Sequence, residues 1–259
     1  MTLEYKGTYI FYSDQGKGST IVLLHGFLEN SLMWIDVKSA LVKRYRVITI
    51  DLLGHGQTGC LGYIHTMEQM ADAVLAVLKS LRLRRVVMIG HSMGGYVALA
   101  LAQRSPNMIK GLCLMNSTAQ ADDKDRKGLR VRANKMAQRN FSNMVRMSVG
   151  NLFYAKNLKQ LEQEVQRTRE QALKTPVQGY IAANEGMRIR SDRKAVLQEL
   201  QSVFYVIGLF DPVLNAKVIL EEATAVNAPY VILEGGHMSH LENTGELIVA
   251  LKKFLSLAK

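Results

Sequence analysis

The chain has 259 residues, 48% of them hydrophobic, and a formal net charge of +11, which suits one sizeable globular domain. No apolar run approaches the ~20 residues of a membrane span, and residues 1–14 alternate polar and apolar instead of forming a secretory signal, so a cytoplasmic protein without membrane association is expected. Two cysteines, Cys60 and Cys113, make neither a disulfide framework nor a metal-ligand spacing.

In chain order, residues 5–12 read as an edge hairpin turning near Lys6-Gly7. Four short β-branched or aliphatic runs follow, at 20–25, 45–51, 85–90 and 109–115, with helical patterns around 32–43, 67–81 and 94–104 between them. Such alternation predicts a mostly parallel sheet covered on both faces. It stops near Ser117, and residues 121–195 carry helical patterns with no convincing strand. Alternation resumes with a strand at 203–209, a helix at 213–226, a strand at 230–233 and a last helix at 245–257. The expectation is one α/β domain, with residues 1–120 and 196–259 as core and 121–195 as an all-helical cap. The cap should cover the carboxyl ends of the strands, where ligands bind in such sheets.

The charge is concentrated in the inserted stretch: residues 122–194 hold 17 Lys or Arg against 8 Asp or Glu. Nucleic-acid binding is not expected, because no recognition motif accompanies the charges. They read first as solvated helix faces, and second as a surface for an anionic substrate or an acidic carrier protein.

The most specific signal is Gly90-His91-Ser92-Met93-Gly94-Gly95, placed between a strand and an apolar helix. The two flanking glycines let the backbone pass closely, so that Ser92 can stand on a strained turn above the sheet. A serine hydroxyl near neutrality needs a base, and the base needs an orienting acid, in the order Ser, Asp, His for this architecture. Asp211 and His237 each follow a strand and are the candidates; His240 and the acids Asp51 and Asp192 fit less well. The backbone N–H groups of Met93 and of Phe27, beyond the bend at Gly26, are the expected oxyanion donors. Asp51 to Thr58 reads as a compact turn held by side-chain-to-backbone hydrogen bonds. His25 reads as a loop-structuring residue, and no metal site is expected at His25, His55 or His65.

The motifs HGF at 25–27, DLLGHGQT at 51–58, GHSMGG at 90–95, GLFDP at 208–212 and GGHMSHLEN at 235–243 resemble those of the α/β-hydrolase superfamily, in its branch of small lidded serine esterases. The resemblance implies an eight-stranded, mostly parallel sheet with the cap after the sixth strand. It also implies catalysis by Ser92, Asp211 and His237 without a cofactor. Thr244 stands where this family usually has proline. The expected activity is hydrolysis of an ester or related acyl bond in a small-molecule substrate. Carbon–carbon hydrolases, lactonases, thioesterases, lyases and ligand sensors share the same serine and stay open. For the substrate pocket, Leu28, Trp34, Phe141, Met144 and Met147 are the candidates, with Met136, Phe153, Tyr180 and Met187 as further apolar residues of the inserted stretch; packing of helices against one another is the competing role.

Overall fold

The computed structural model describes residues 1–258. Strands β1 (Thr2–Tyr5) and β2 (Thr8–Gln15) form the expected antiparallel hairpin, turning through Lys6 and Gly7, both at positive φ. The aliphatic runs become β3 (Thr20–Leu24), β4 (Arg46–Ile50), β5 (Val86–His91), β6 (Ile109–Met115), β7 (Val203–Gly208) and β8 (Tyr230–Leu233). All eight strands join one sheet in the order β1-β2-β4-β3-β5-β6-β7-β8. Beyond the antiparallel pairings of β2 with β1 and β4, every pairing is parallel.

Side-chain alternation divides the core. Val22 and Leu24 face one buried cluster, whereas Ile21 and Leu23 face another across the sheet. The first is closed by α2 (Met67–Ser80), α3 (Met93–Arg104), α7 (Lys194–Glu199) and α8 (Ala216–Ala225). The second is closed by α1 (Ile35–Leu41) and α10 (Thr244–Leu257). With both faces covered, β3, β5 and β7 carry no exposed residue, which explains their continuous apolar sequences.

Between β6 and β7 lie α4 (Lys124–Gly150), α5 (Glu162–Ala172) and α6 (Val177–Arg188), ahead of α7. They bury their own apolar cluster, which includes Val145, Val149, Phe153 and Tyr180 and extends to Leu28 and Met238 of the sheet's loops. Helix α4 is broken at Asn140, whose φ of −154° and ψ of 78° are extended; its side-chain oxygen accepts the N–H of Asn143 at 3.1 Å and so caps the second segment. The chain runs from β3 to β4 on one side and returns to β5 on the other. The gap between the carboxyl ends of β3 and β5 is therefore the switch point of the sheet, where a crevice opens.

Candidate active site

Ser92 stands between β5 and α3 with φ 48° and ψ −114°, a conformation that side chains other than glycine rarely adopt. The turn is over-determined by its neighbours. The Ser92 N–H donates to Met115 O at 2.9 Å, and the Ser117 hydroxyl donates to Ser92 O at 2.8 Å. A Cβ on Gly90 would lie 2.5 Å from backbone atoms of Gly94, and one on Gly94 would lie 2.3 Å from Leu24 O, so neither position admits a side chain. Met93 is the first residue of α3, and its N–H therefore has no acceptor within the helix.

His237 and Asp211 come from the loops after β8 and β7. His237 Nδ1 lies 2.7 Å from Asp211 Oδ2. Burial alone would raise the Asp211 pKa, but His237, the Asn116 amide and the Val213 N–H outweigh it and hold the carboxyl below its ordinary range. The Leu214 N–H adds a further donor at 3.0 Å. Asn116, which sequence reasoning missed, donates to both Asp211 Oδ2 and Gly236 O at 3.1 Å and accepts the Ser239 hydroxyl at 2.7 Å. Its signal was its place immediately after β6, at the same sheet edge. Glu242, in the short helix α9 (Ser239–Glu242), accepts the N–H groups of Gly236 and Met238 through one oxygen, and those of Tyr154 and the Asn157 side chain through the other. It thereby fastens the His237 loop to the helical insertion.

Beneath Ser92 lies a buried charge group that the sequence left unassigned. Glu29 Oε2 accepts the Gly26 N–H at 2.7 Å and lies 2.6 Å from His91 Nδ1; His91 Nε2 lies 2.9 Å from His237 O. A carbonyl can only accept, so Nε2 carries a proton. Burial favours neutral forms, but the mutual attraction of Glu29 and His91 prevails, lowering the Glu29 pKa to about 2 and raising that of His91. His91 is thus an imidazolium donating from both nitrogens. His240 Nε2 is 3.6 Å from the other Glu29 oxygen. Burial lowers the His240 pKa to about 4, against the pull of Glu29. Ligand atoms of Glu29, His91 and His240 lie within 4.8 Å of one another, the spacing of a metal site, but Glu29 Oε2 and both His91 nitrogens are already committed to protein partners.

The remaining loop motifs are structural. Asp51 accepts the N–H groups of Ser31 and Gln57, and the Thr58 hydroxyl donates to Asp51 O at 2.7 Å. His25 accepts the Leu52 N–H at Nε2 and so donates from Nδ1 to Gly26 O.

A cavity of about 360 Å³ opens over this edge. Ser92 and His237 line it, with Phe27, Leu28 and His91 from the strand loops, Arg126 and Arg130 from α4, and Tyr180 and Met187 from α6. Of the expected substrate-binding residues, Leu28 is on its wall and the others are not. Trp34 is fully buried in the α1 core beside Ile21 and Leu23, because its helix turns that face to the sheet. Phe141 packs edge-on against Tyr180, and Met144 is buried in the insertion's own cluster. Met147 is 67% exposed on the outer face of α4. Met136 is likewise exposed, and Phe153 is buried in the insertion's own cluster.

Comparisons with known proteins agree with this architecture. A pimeloyl-[acyl-carrier protein] methyl ester esterase of Aliivibrio fischeri is 24% identical over 257 residues, 96% of this chain and 98% of that protein. An uncharacterised Mycobacterium tuberculosis protein is 35% identical over 119 residues, a match spanning only 35% of its length and 45% of this chain. A thermophilic esterase from Thermogutta terrifontis superposes with a TM-score of 0.93 at 27% identity, covering 99% of this chain and 97% of that one. The family model of the alpha/beta hydrolase fold matches residues 19–244, and the chain belongs to that family.

Proposed function

We propose that the protein is a serine hydrolase that cleaves an ester or related acyl bond, with Ser92 as nucleophile, His237 as general base and acid, and Asp211 as the orienting carboxylate. The observation that carries this reading is a single cavity lined by both Ser92 and His237, with the Nδ1 of His237 already tied to Asp211 at 2.7 Å. With Nδ1–H donated to the carboxylate, Nε2 is left as the basic nitrogen. It takes the hydroxyl proton as Ser92 attacks the carbonyl, then gives it to the leaving group; water repeats the cycle on the acyl-enzyme. The N–H groups of Met93 and Phe27 stabilise the oxyanion, each contributing about 3 kcal/mol in comparable sites. Helices α4 to α6 act as the cap that dries the site and sets acyl length, and a volume of about 360 Å³ suits a small to medium substrate. The likeness to the pimeloyl-carrier methyl ester esterase and to the Thermogutta esterase supports an ester as substrate.

The test is hydrolysis of p-nitrophenyl esters from acetate to decanoate by wild type and Ser92→Ala. Sustained turnover with one chain-length optimum is expected, and a loss of about a thousandfold or more in the variant. Undiminished turnover by Ser92→Ala would remove the serine from the mechanism.

A further inference from the structure

The wall of the cavity opposite the strand loops carries more positive charge than its acids balance. Asp122 is a single buried carboxylate shared by two guanidinium groups: Arg190 Nη1 donates to one oxygen at 2.6 Å, and Arg130 Nε donates to the other. Both arginines are largely buried, with side chains 4% and 13% exposed, so one positive charge stays uncompensated in a region of restricted solvent. Arg190 also lies 4.1 Å above the ring of Tyr96, itself a cavity residue. A third cation, Arg126, stands one turn before Arg130 on α4, and of the three arginines Arg126 and Arg130 line the cavity. Arg126 Nη1 donates to the Val213 carbonyl at 2.7 Å, and no ion pair to it forms among the described residues. That carbonyl is a neutral acceptor and occupies one of the five guanidinium N–H groups. Of the other acids near the cavity, Glu29 is committed to His91 and Asp211 to His237 and its amide donors, whereas Asp123, which accepts the Arg126 backbone N–H at 2.7 Å, and Asp125 are exposed to solvent.

Uncompensated, partly buried cations carry a desolvation cost that an anion of matching shape offsets, and a planar carboxylate matches the guanidinium fork. We propose, resting on the hydrolase reading above, that the substrate carries a free carboxylate apart from its scissile bond. Arg126 is its principal partner and Arg130 stands beside it. The chemical class is then a half-ester of a short dicarboxylic acid, or a comparable anionic acyl compound. This makes Arg126 a specificity-determining residue. The reading of its bond to Val213 as a mere clamp between α4 and the Asp211 loop predicts equal effects on charged and uncharged substrates.

Monomethyl adipate and methyl hexanoate have the same chain and differ by the terminal carboxylate, so they are the kinetic probes. Wild type should prefer the half-ester in kcat/KM by about tenfold or more, the worth of one charged hydrogen-bonded contact. Arg126→Met should collapse that ratio towards one, mainly through KM, and Arg126→Lys should restore part of it. Adipate binding, measured by calorimetry on Ser92→Ala with and without Arg126→Met, reads the subsite without chemistry, and the second substitution should weaken it by about tenfold. The proposal is overturned by a wild type without preference, by equal losses on both esters, or by adipate binding indifferent to Arg126. Arg126-dependent adipate binding without hydrolysis of either ester would uphold the subsite and sink the hydrolase reading instead.

Discussion

Ser92 occupies a backbone conformation that costs of order 1–3 kcal/mol and is held only because its neighbours leave the chain no alternative. The glycines on either side bear that constraint directly. Gly94→Ala would drive a methyl to 2.3 Å from Leu24 O, a backbone atom in the centre of the sheet. Neither strand β3 nor helix α3 can yield, so the variant should lose about 3 kcal/mol or more, seen as a lowered urea midpoint or as insoluble expression. Steric demand of this kind is written in the sequence as obligatory glycine, and for that reason the Ser92 turn is legible in the sequence alone. Trp34 and Met147 were not legible in the same way. Helical spacing says that a residue lies on an apolar face but not whether that face meets the sheet, another helix or a cavity. Trp34 met the sheet, and Met147 met solvent.

At the scale of elements, three loops from β3, β5 and β8 must keep their relative positions for the candidate site to exist, and one buried ion pair joins all three. Glu29 holds Gly26 of the first loop and His91 of the second, and His91 holds the carbonyl of His237 in the third. Glu29→Gln preserves the shape and an oxygen for Gly26 but removes the charge that keeps His91 protonated. On the proposed mechanism, kcat on a p-nitrophenyl ester should fall about ten- to a hundredfold, because the Phe27 donor and the base shift relative to Ser92. Stability in urea should fall by about 2–3 kcal/mol, less than for a pair broken with its partner left charged, since His91 can release its proton. An unchanged kcat with lowered stability would make the pair structural only. The sequence displayed Glu29 and His91 openly in two motifs, 62 residues apart. Their meeting depends on β3 and β5 being adjacent, which strand order decides and local pattern does not. The break in α4 was hidden for a related reason. Asn140 sits in a long polar helical stretch, and only its bond to Asn143 identifies it as a cap within the helix. Asn140→Ala should cost about 1 kcal/mol, measurable by chemical denaturation, with the effect confined to helices of the insertion.

The whole molecule buries its histidines in a way that sets its response to acid. All six are at most 3% exposed, and burial lowers the pKa of four of them: His25, His55 to about 3, and His65 and His240 to about 4. A base whose folded pKa lies below its unfolded value binds fewer protons when folded. Stability therefore rises with pH through the window between the folded and unfolded values, from about 4 to 6.5, and is lost as pH falls through it. The Glu29–His91 pair adds nothing to this slope in the same window. The low pKa of Glu29 contributes stability fully above about 4.5 and loses it only as pH falls towards 2. The raised pKa of His91 contributes fully below 6.5 and loses it on the alkaline side. Acidification from pH 7.5 to 4.5 should therefore destabilise the protein. At about 1.4 kcal/mol per unit, His55, His65 and His240 together remove about 4 kcal/mol when only a third of their displacement from 6.5 is realised. Urea unfolding across that range should show a falling midpoint, with the steepest change between pH 6 and 4.5. His55 packs tilted against His25 and edge-on to Phe27, so His55→Asn should flatten the acid limb while lowering stability at pH 7.5. A midpoint constant from pH 7.5 to 4.5 would mean that these rings are protonated in the folded protein, with water reaching nitrogens that the packing now encloses.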